Sequence, residues 1–168
     1  MQIIAGKLKG RRIPFQNQKQ LDTRVTSNFV KKAAFSILGE FIPNLRFLDL
    51  FSCSGQIGLE AFSRGAQVVM NEVDKYRNCF IAELIQDWGI NDQILLYAQP
   101  AEKLISKLDS DIGSFDIIYL DPPYYQKLDN IPLSLAILDR IDQTSLLSES
   151  GLVIVQHSKI LNFQTSFQ

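Results

Sequence analysis

Short apolar runs alternate with amphipathic segments along most of the chain. Runs rich in β-branched and aromatic residues predict buried strands, whereas apolar residues spaced three and four apart predict helices. The predicted strands are Arg46–Phe51, Gln67–Glu72, Ile94–Ala98, 115–120 and Leu152–Gln156. The predicted helices between them are Gln56–Arg64, Lys75–Trp88, about Ala101–Leu108 and a segment near Leu133–Ile141. This alternation is typical of an α/β fold with a doubly wound, mostly parallel, Rossmann-like sheet.

The residues before this alternation predict a hairpin and a helix. Gln2–Ala5 and Arg11–Phe15 are strand-like, and the glycine-bounded stretch between them can turn. The following helix is expected to be capped by Thr26 or Ser27. Its predicted apolar face consists of Phe29, Val30, Ala33, Ala34, Ile37, Leu38 and Phe41. The chain is therefore predicted to be one domain, 1–168, made of a basic hairpin or arm (1–22), a helix (23–42) and a Rossmann-like core (46–158).

Charge is distributed unevenly, although the net charge is −1. Residues 1–32 contain eight basic residues and one acid, whereas the remainder contains nine basic and seventeen acidic residues. A basic arm on an acidic body predicts that one edge of the protein binds a phosphate backbone. The candidate residues for this contact are Lys7, Lys9, Arg11, Arg12 and Arg24. The alternative is a solvated basic tail.

Composition argues against several other classes of protein. A hydrophobic fraction of 46% and a charged fraction of 21% are ordinary for a globular domain, and no apolar run approaches the ~20 residues of a membrane span. The amino terminus lacks the apolar core of a signal peptide. Cys53 and Cys79 fit no metal spacing, and His157 is the lone histidine. We therefore expect no metal site, no disulfide framework and no membrane contact, in a cytoplasmic protein.

The stretch DLFSCSGQIG, residues 49–58, joins the first predicted strand to the next helix. Gly55 and Gly58 occupy the last two glycine positions of a G-x-G-x-x-G pattern, and Cys53 lies where the first glycine would be. A carboxylate at Asp49 would repel a dinucleotide pyrophosphate but attract the ammonium of a methionine moiety. Glu72, at the end of the second strand, is placed to bind both hydroxyls of a ribose. Together these features favour S-adenosylmethionine over a nicotinamide cofactor, although either acid alone is more often a solvated strand-end residue.

The stretch FDIIYLDPPY, residues 115–124, ends a buried strand in a rigid loop, because proline cannot donate to a sheet ladder. The Asp121 carboxylate and the Pro122 carbonyl can accept hydrogen bonds from a base amine, and Tyr124 offers a face on which an extruded base can stack. The loop therefore predicts methylation of an exocyclic amine on a nucleobase. Asp121, Pro122, Pro123 and Tyr124 are the candidate catalytic residues. The alternative is a proline-rich turn in which Tyr124 covers the core.

These motifs together resemble the bacterial 16S ribosomal RNA (guanine-N2) methyltransferase family, type D. The resemblance covers about residues 1–158. It rests on IIAGKLKGRR at 3–12, Thr23-Arg24 with Thr26-Ser27, DLF at 49–51, GLEAFSRGA at 58–66 and DPPY at 121–124. It implies a class I methyltransferase fold, S-adenosyl-L-methionine as methyl donor, and a guanine N2 in ribosomal RNA or the small ribosomal subunit as target. We expect such an enzyme to be a monomer. The candidate cofactor-binding residues are Asp49, Phe51, Cys53, Ser54, Gly55, Gly58, Glu72, Gln99 and Asp121.

The chain departs from the family pattern at several positions. Cys53 replaces a glycine, and its Cβ and sulfur are expected to crowd the methionine end of the cofactor and to strain the turn if φ is positive. Gln99-Pro100 replaces the acid that helps to hold the adenine, and Gln156 replaces a glutamate. Residues 159–168 have room for one more strand but hardly two, so the terminal strands of the family fold are expected to be truncated, which would leave a sheet edge exposed.

Two alternatives to an rRNA methyltransferase stay open at this point. One is a degenerate, non-catalytic member of the fold that binds RNA or a partner subunit, which Cys53, Pro100 and the short carboxyl end suggest. The other keeps the chemistry and changes the substrate to the adenine N6 of DNA. The second alternative is the weaker of the two, because the chain has no separate DNA target-recognition segment.

Overall fold

Strands and helices alternate from β1 onwards in the computed structural model, which describes residues 1–15, 28–39 and 42–157. In chain order the elements are α1 (Asn28–Leu38), β1 (Arg46–Asp49), α2 (Gln56–Ser63), β2 (Gln67–Asn71), α3 (Lys75–Asp87), β3 (Ile94–Tyr97), α4 (Ala101–Asp111), β4 (Phe115–Leu120), β5 (Lys127–Leu128), β6 (Ile131–Pro132), α5 (Leu133–Asp142) and β7 (Leu147–Val155). A short 3₁₀ helix, Asn91–Gln93, precedes β3. This order confirms the predicted α/β class.

Five of the described strands form a parallel sheet in the order β3-β2-β1-β4-β7. Leu48 in β1 is in register with Val69 in β2 on one side and with Ile118 in β4 on the other. Because the chain crosses to opposite sides of β1 to form β2 and β4, the loops after β1 and β4 diverge. Open α/β sheets form their ligand-binding crevices at such a switch point.

Side chains that alternate along the strands form a hydrophobic layer on each face of the sheet. Phe47, Val68, Met70, Ile117 and Tyr119 pack in one cluster with residues of α1, α2 and α3. Leu48, Val69, Ile118 and Leu120 pack in a second cluster with residues of α4 and α5. Helices therefore cover both faces, which is why the central strands read as continuous apolar runs in the sequence.

The amino-terminal segment folds back on itself and lies against α2. Gln2 and Arg12 form a single antiparallel β-bridge, in place of the two predicted strands. The backbone N–H groups of Ile4 and Ala5 donate instead to the carboxylate of Glu60 in α2, at 2.8 Å and 3.0 Å. The predicted hairpin therefore forms, but it is short. The Ile3 N–H donates to the Arg11 carbonyl at 3.0 Å and the Ile13 N–H to the Met1 carbonyl at 2.9 Å, whereas the next donors along the first arm are used to anchor the segment to α2.

Helix α1 buries a face that only partly overlaps the one that its apolar residues predict. Lys31, Ala34 and Phe35 are buried, whereas Phe29 and Ile37 are 81% and 72% exposed. The predicted apolar face was therefore right at Ala34 and Leu38, which pack in or against the core, and wrong at Phe29 and Ile37. The proposed cap residues Thr26 and Ser27, together with Arg24, Phe41 and the expected terminal strand in 159–168, lie outside the described residues.

A buried ion pair determines how α1 is oriented. The Lys31 ammonium lies 3.3 Å from Oε2 of Glu60 and donates to the Gln2 carbonyl at 2.5 Å, and both charged side chains are fully buried. Burial lowers the pKa of Lys31, and the attraction of Glu60 partly offsets that effect. A lysine thus takes a core position that a hydrophobic pattern assigns to an apolar residue.

A two-stranded hairpin, β5–β6, follows the proline loop and was not predicted. Its turn residues Asp129 and Asn130 have φ values of 50° and 67°, as in a tight type I′ connection. Each strand has only two residues, too few to show a period of two. Strand β7 begins at Leu147, earlier than the predicted Leu152, and its pairing with β4 is interrupted by a bulge near Phe115. No helix in the described part of the chain is long and apolar enough to cross a membrane.

Candidate functional site

A cavity of about 260 Å³ opens at the carboxyl edge of the sheet, at the switch point between β1 and β4. It is lined by Phe51, Cys53, Glu72, Val73, Arg77, Asp121, Pro122, Pro123, Tyr124, Tyr125 and Gln126. These residues follow the ends of β1, β2 and β4 or belong to the first turn of α3. The cavity therefore brings together the acid after β2, part of the glycine turn and the whole predicted proline loop.

Asp49 supports the glycine turn from beneath. Its side chain is 1% exposed, and Oδ2 accepts a hydrogen bond from the Gly58 N–H at 2.9 Å. A Cβ on Gly58 would lie 2.8 Å from the Met70 side chain and 3.2 Å from this carboxylate, so the glycine is needed for packing against β2. Burial raises the pKa of Asp49 to about 7. Asp49 is not among the residues that line the cavity, and its carboxylate is bound inside the turn; the expected contact with a cofactor ammonium stays a prediction.

Ser54 and Gly55 also belong to the turn rather than to the cavity wall. Ser54 is 1% exposed, and its hydroxyl donates to the sulfur of Met1 at 3.6 Å. Gly55 caps the amino end of α2 with φ of 77°, a left-handed conformation that glycine adopts without steric cost. Both residues determine the course of the backbone in the turn and thereby the position of Cys53.

Cys53 occupies a strained backbone position beside the cavity. Its φ is 50°, so the condition for strain in the turn is met. Its N–H donates to Oε2 of Glu72 at 2.8 Å, and its side chain lines the cavity. Burial raises the pKa of the Cys53 thiol to about 11, so the thiol is protonated near neutral pH and is a weak nucleophile.

Glu72 joins the glycine turn to the start of α3. Besides the Cys53 N–H on Oε2, its Oε1 accepts from the Asp74 N–H at 2.8 Å and from Nη2 of Arg77 at 2.9 Å. Arg77 was not among the predicted site residues. Its place in the first turn of the helix that follows Glu72 is the signal that could have indicated it, since that turn borders the cavity.

A chain of hydrogen bonds fixes Tyr124 in the proline loop. The Tyr119 hydroxyl donates to Oε1 of Gln156 at 3.0 Å, and Nε2 of Gln156 donates to the Tyr124 hydroxyl at 3.0 Å. Burial raises the pKa of Tyr119, which keeps this phenol protonated. Gln156 follows the end of β7, so these two hydrogen bonds connect β7 to the neighbouring β4 and to the loop after it. They hold the ring of Tyr124 in place beside Asp121.

Gln99 is held at the neighbouring sheet edge and is not part of the cavity lining. Asn71, which is 2% exposed, donates to the carbonyls of Leu50 and Gln99 at 3.1 Å and 3.0 Å. Its Oδ1 accepts from the Gln99 N–H at 3.1 Å. The Asn71 side chain therefore ties the loop after β3 to the end of β1. The sequence predicts a cofactor role for Gln99 but carries no signal for the contacts of Asn71.

Two basic residues of the arm, Lys7 and Arg11, lie far from the cavity. The Lys7 N–H donates to the Ser63 carbonyl at 2.7 Å, at the carboxyl end of α2, and the Arg11 guanidinium lies 5.3 Å from the Trp88 ring, beyond the carboxyl end of α3. Both helices begin near the cavity, and the thirteen residues of α3 span about 20 Å. The structure therefore does not bring Lys7, Lys9, Arg11 and Arg12 together with the proline loop, and Arg24 lies outside the described residues.

The chemistry of the cavity suits a nucleoside without phosphate groups. Glu72 and Asp121 contribute two carboxylates, whereas Arg77 contributes one cation. Two carboxylates would repel a pyrophosphate and attract a cationic ligand. Phe51 and Val73 add apolar surface. The residues present thus fit S-adenosylmethionine. Among the described residues, no group of three or more His, Cys, Asp or Glu side chains is arranged to hold a metal ion.

Comparisons with known proteins agree with this arrangement. The profile of a family described as "Conserved hypothetical protein 95" matches residues 1–168. Two proteins named "Ribosomal RNA small subunit methyltransferase D" from strains of Buchnera aphidicola are similar to the chain. One is 35% identical over 127 residues, 75% of this chain and 64% of that protein. The other is 32% identical over 164 residues, 96% of this chain and 78% of that protein. These matches confirm the resemblance to the type D family.

Solved structures show the same fold. A hypothetical protein from Thermus thermophilus is 25% identical, with a TM-score of 0.79 over 98% of the present chain and 90% of its own. A structure described as a SAM-dependent methyltransferase from Agrobacterium tumefaciens is 22% identical, with a TM-score of 0.55 over 71% of the present chain and 40% of its own. That second likeness concerns the fold alone. Together with the strand order, these neighbours confirm the Rossmann-like methyltransferase fold.

Proposed function

The chain belongs to the family described as conserved hypothetical protein 95, and we propose that it methylates the exocyclic N2 of a guanine in small-subunit (16S) ribosomal RNA, with S-adenosyl-L-methionine as donor. The observation that carries the proposal is the Asp121–Tyr124 loop, which shares one cavity with Glu72 at the switch point of the sheet. The names of the similar proteins supply the substrate class. The proposal includes a single domain, 1–168, that acts as a monomer in the cytoplasm, where ribosomal RNA is found.

The donor would occupy the part of the cavity that borders β1 and β2. When bound, it supplies an electrophilic methyl group on a sulfonium sulfur. Glu72 would accept hydrogen bonds from the ribose hydroxyls, and Phe51 and Val73 would offer apolar surface to the adenine. Cys53 would border the methionine end. Four residues would contribute to donor binding indirectly, by fixing the shape of the glycine turn: Asp49, Ser54, Gly55 and Gly58. Gln99 would contribute through the neighbouring loop after β3.

The proline loop would hold the acceptor amine. Asp121 and the Pro122 carbonyl would accept its two N–H hydrogen bonds, while Pro123 keeps the loop rigid. The Tyr124 ring, positioned by Gln156, would stack on the extruded guanine. As the nitrogen–carbon bond forms and the methyl–sulfur bond of the donor breaks, the amine would lose one proton, which the Asp121 carboxylate would accept. Alignment of the amine with the methyl group would provide most of the acceleration.

Ribosomal RNA would contact the protein on a broad surface. The target base would enter the cavity, and phosphates of the same RNA would reach Lys7, Lys9, Arg11 and Arg12 roughly one helix length away. Arg24 is proposed as a further phosphate contact on sequence grounds. An RNA surface that extends about 20 Å favours a folded RNA or an assembled subunit over a short single strand.

A labelled-methyl transfer assay tests this proposal. The protein is incubated with methyl-labelled S-adenosylmethionine and, separately, with small ribosomal subunits, naked 16S RNA and duplex DNA. We expect label in ribosomal RNA, and its loss in Asp121→Ala, which removes the acceptor for the amine. Asp139→Ala, on the exposed side of α5, is the matched control and should transfer normally.

Three results would contradict the proposal. Label in DNA but not in RNA would favour an adenine-N6 enzyme. Unchanged turnover in Asp121→Ala would remove the role of the proline loop. No transfer to any substrate, together with no donor binding, would favour a non-catalytic member of the fold, which the strained Cys53 makes the relevant alternative.

A further inference from the structure

Arg77 occupies the part of the cavity that Glu72 borders. Its side chain is 12% exposed, and Nη2 donates to Oε1 of Glu72 at 2.9 Å. Its Nε is buried without a hydrogen-bond partner and lies 3.9 Å from Oδ1 of Asp74. The guanidinium is therefore held by one strong contact, while one of its own donors stays unsatisfied. An unpaired buried donor raises the free energy of this arrangement.

The acceptor capacity of Glu72 is nearly filled in this arrangement. A carboxylate offers about four lone-pair sites. Three of them are taken by the N–H groups of Cys53 and Asp74 and by Nη2 of Arg77. A ribose that donates from both of its hydroxyls to one carboxylate needs two free acceptor sites, whereas Glu72 has one. The backbone donors are fixed by the glycine turn and by the start of α3, so Arg77 is the partner that can leave.

Asp74 offers Arg77 a second place to bind. It caps α3, and its Oδ1 accepts from the Arg77 N–H at 3.0 Å, so the two residues stay adjacent whichever way the side chain turns. A rotation that brings Nε from 3.9 Å into hydrogen-bond distance of Oδ1 would satisfy the buried donor. The same movement would free one acceptor site on Glu72.

We propose that Arg77 competes with the ribose of the donor for Glu72, and that it must transfer to Asp74 before the donor binds. This inference rests on the proposed function, since the ribose is that of S-adenosylmethionine. Arg77 is then a residue that sets the affinity of the donor site by closing it in the free protein. Removal of its side chain should tighten binding of every ligand that carries this ribose.

Calorimetric titration of purified variants tests the competition. Arg77→Met keeps the length and apolar stem of the side chain but removes the charge and the donors. We expect it to bind both S-adenosylmethionine and S-adenosylhomocysteine roughly three- to tenfold more tightly than the native protein. Arg140→Met, which removes a charge from the exposed side of α5, should leave both affinities unchanged.

A second variant is expected to act in the opposite direction. Asp74→Ser keeps a side chain that can cap α3 but removes the carboxylate that would receive Arg77. It should weaken the binding of both ligands several-fold. This variant keeps the inference testable if Arg77→Met does not fold, because Arg77 and its bond to Glu72 remain in place.

The outcomes separate this inference from the proposed function. Unchanged or weaker binding by Arg77→Met, in a protein whose native form binds the donor, would overturn the competition alone. Tighter binding of the cationic S-adenosylmethionine alone would also overturn it. That pattern would mean that Arg77 repels the sulfonium charge and does not compete with the ribose for Glu72. If neither the native protein nor any variant binds either ligand, the proposed function itself fails.

Discussion

At Cys53 the backbone holds a side chain in a conformation that glycine adopts more easily. Its φ of 50° strains the backbone, and its side chain lines the cavity, where it reduces the volume open to a ligand. The amide of Cys53 nevertheless keeps its hydrogen bond to Glu72. The turn thus retains its polar contacts, and the effect of the cysteine should fall on ligand binding more than on folding.

Cys53→Gly should tighten binding of S-adenosylmethionine, because it removes the Cβ and sulfur from the cavity. We expect the free energy of unfolding to change by less than about 1 kcal/mol, since relief of strain and the greater freedom of glycine in the unfolded chain offset each other. Calorimetric titration and urea unfolding measure the two effects. Cys53→Ala keeps the Cβ and should recover only the part due to sulfur. Equal affinities in all three proteins would show that the cysteine does not obstruct the site.

Asp49 should make stability depend on pH. Burial raises its pKa to about 7, whereas the unfolded chain loses the same proton near pH 4. Below pH 4 both states are protonated. Between pH 4 and pH 7 the unfolded state binds fewer protons than the folded state. The free energy of unfolding therefore falls as pH rises, by up to roughly 4 kcal/mol. Above pH 7 both states are deprotonated at Asp49, so this residue causes no further change in stability.

Urea unfolding of the native protein and Asp49→Asn at several pH values checks this expectation. The asparagine oxygen can still accept from the Gly58 N–H, but the side chain no longer titrates. The variant should therefore show a flatter profile between pH 4 and pH 7. Parallel profiles would mean that Asp49 is ionised in the folded protein throughout this range.

At the level of secondary-structure elements, Glu60 joins three parts of the fold. From α2 it accepts from the backbone of Ile4 and Ala5, pairs with Lys31 of α1 and binds Nε of Arg64 at 3.0 Å. Its side chain is fully buried. The position of the amino-terminal arm and of α1 therefore depends on one carboxylate in the first helix of the core.

Glu60→Gln should lower the free energy of unfolding by about 3 kcal/mol, because it leaves the buried Lys31 without a counter-charge. Urea unfolding measures this loss. Glu83→Gln, on the exposed side of α3, should change stability by less than about 0.5 kcal/mol. Adding Lys31→Met to Glu60→Gln should recover part of the loss. A loss below 1 kcal/mol in the single variant would show that the ion pair does not anchor the arm.

The elements themselves were largely predictable from the sequence. The strands β1 to β4 and the helices α2 to α5 follow continuous apolar runs and amphipathic periods, and the structure places them within a few residues of the predicted ranges. The face of α1 was not predictable, because a lysine is buried through a partner almost thirty residues further along the chain. The hairpin β5–β6 was too short to show a period, although Asp129-Asn130 is a turn-forming pair.

The site was predictable in its position but not in its contacts. Strand-end loops and the DPPY motif predict that Glu72 and Asp121 lie at one sheet edge, and both residues line the same cavity there. Hydrophobic and motif patterns carry no information about which buried donors a carboxylate binds. The roles of Arg77, Asn71 and Gln156 therefore needed the three-dimensional structure.

Over the whole molecule, Lys7 and Arg11 of the basic arm lie at the ends of α2 and α3 that are opposite to the cavity. The two functions that the sequence suggested, phosphate contact and base recognition, are thus separated in space. Because of this separation, contacts with the phosphate backbone of the RNA can determine the affinity for RNA, while the cavity determines which base reacts. It also means that changes in the arm should leave the donor site intact.

A triple variant of the arm, Lys9→Gln, Arg11→Gln and Arg12→Gln, should weaken binding of 16S RNA roughly tenfold and lower the slope of log K against log salt by about three. Fluorescence anisotropy at several salt concentrations measures both quantities. Lys103→Gln, Lys107→Gln and Arg140→Gln, on α4 and α5, form the matched control. An equal loss in the control would indicate a general charge effect, and no loss in the arm variant would mean that the arm is a solvated tail.

Methylation of guanine N2 in small-subunit ribosomal RNA leaves a product that can be identified directly. The most direct test is mass spectrometry of nucleosides from 16S RNA, after small subunits have been incubated with the protein and isotopically labelled S-adenosylmethionine. We expect label in N2-methylguanosine with the native protein and no label there with Asp121→Ala. Label in another nucleoside, or none in RNA from a protein that binds the donor, would contradict it.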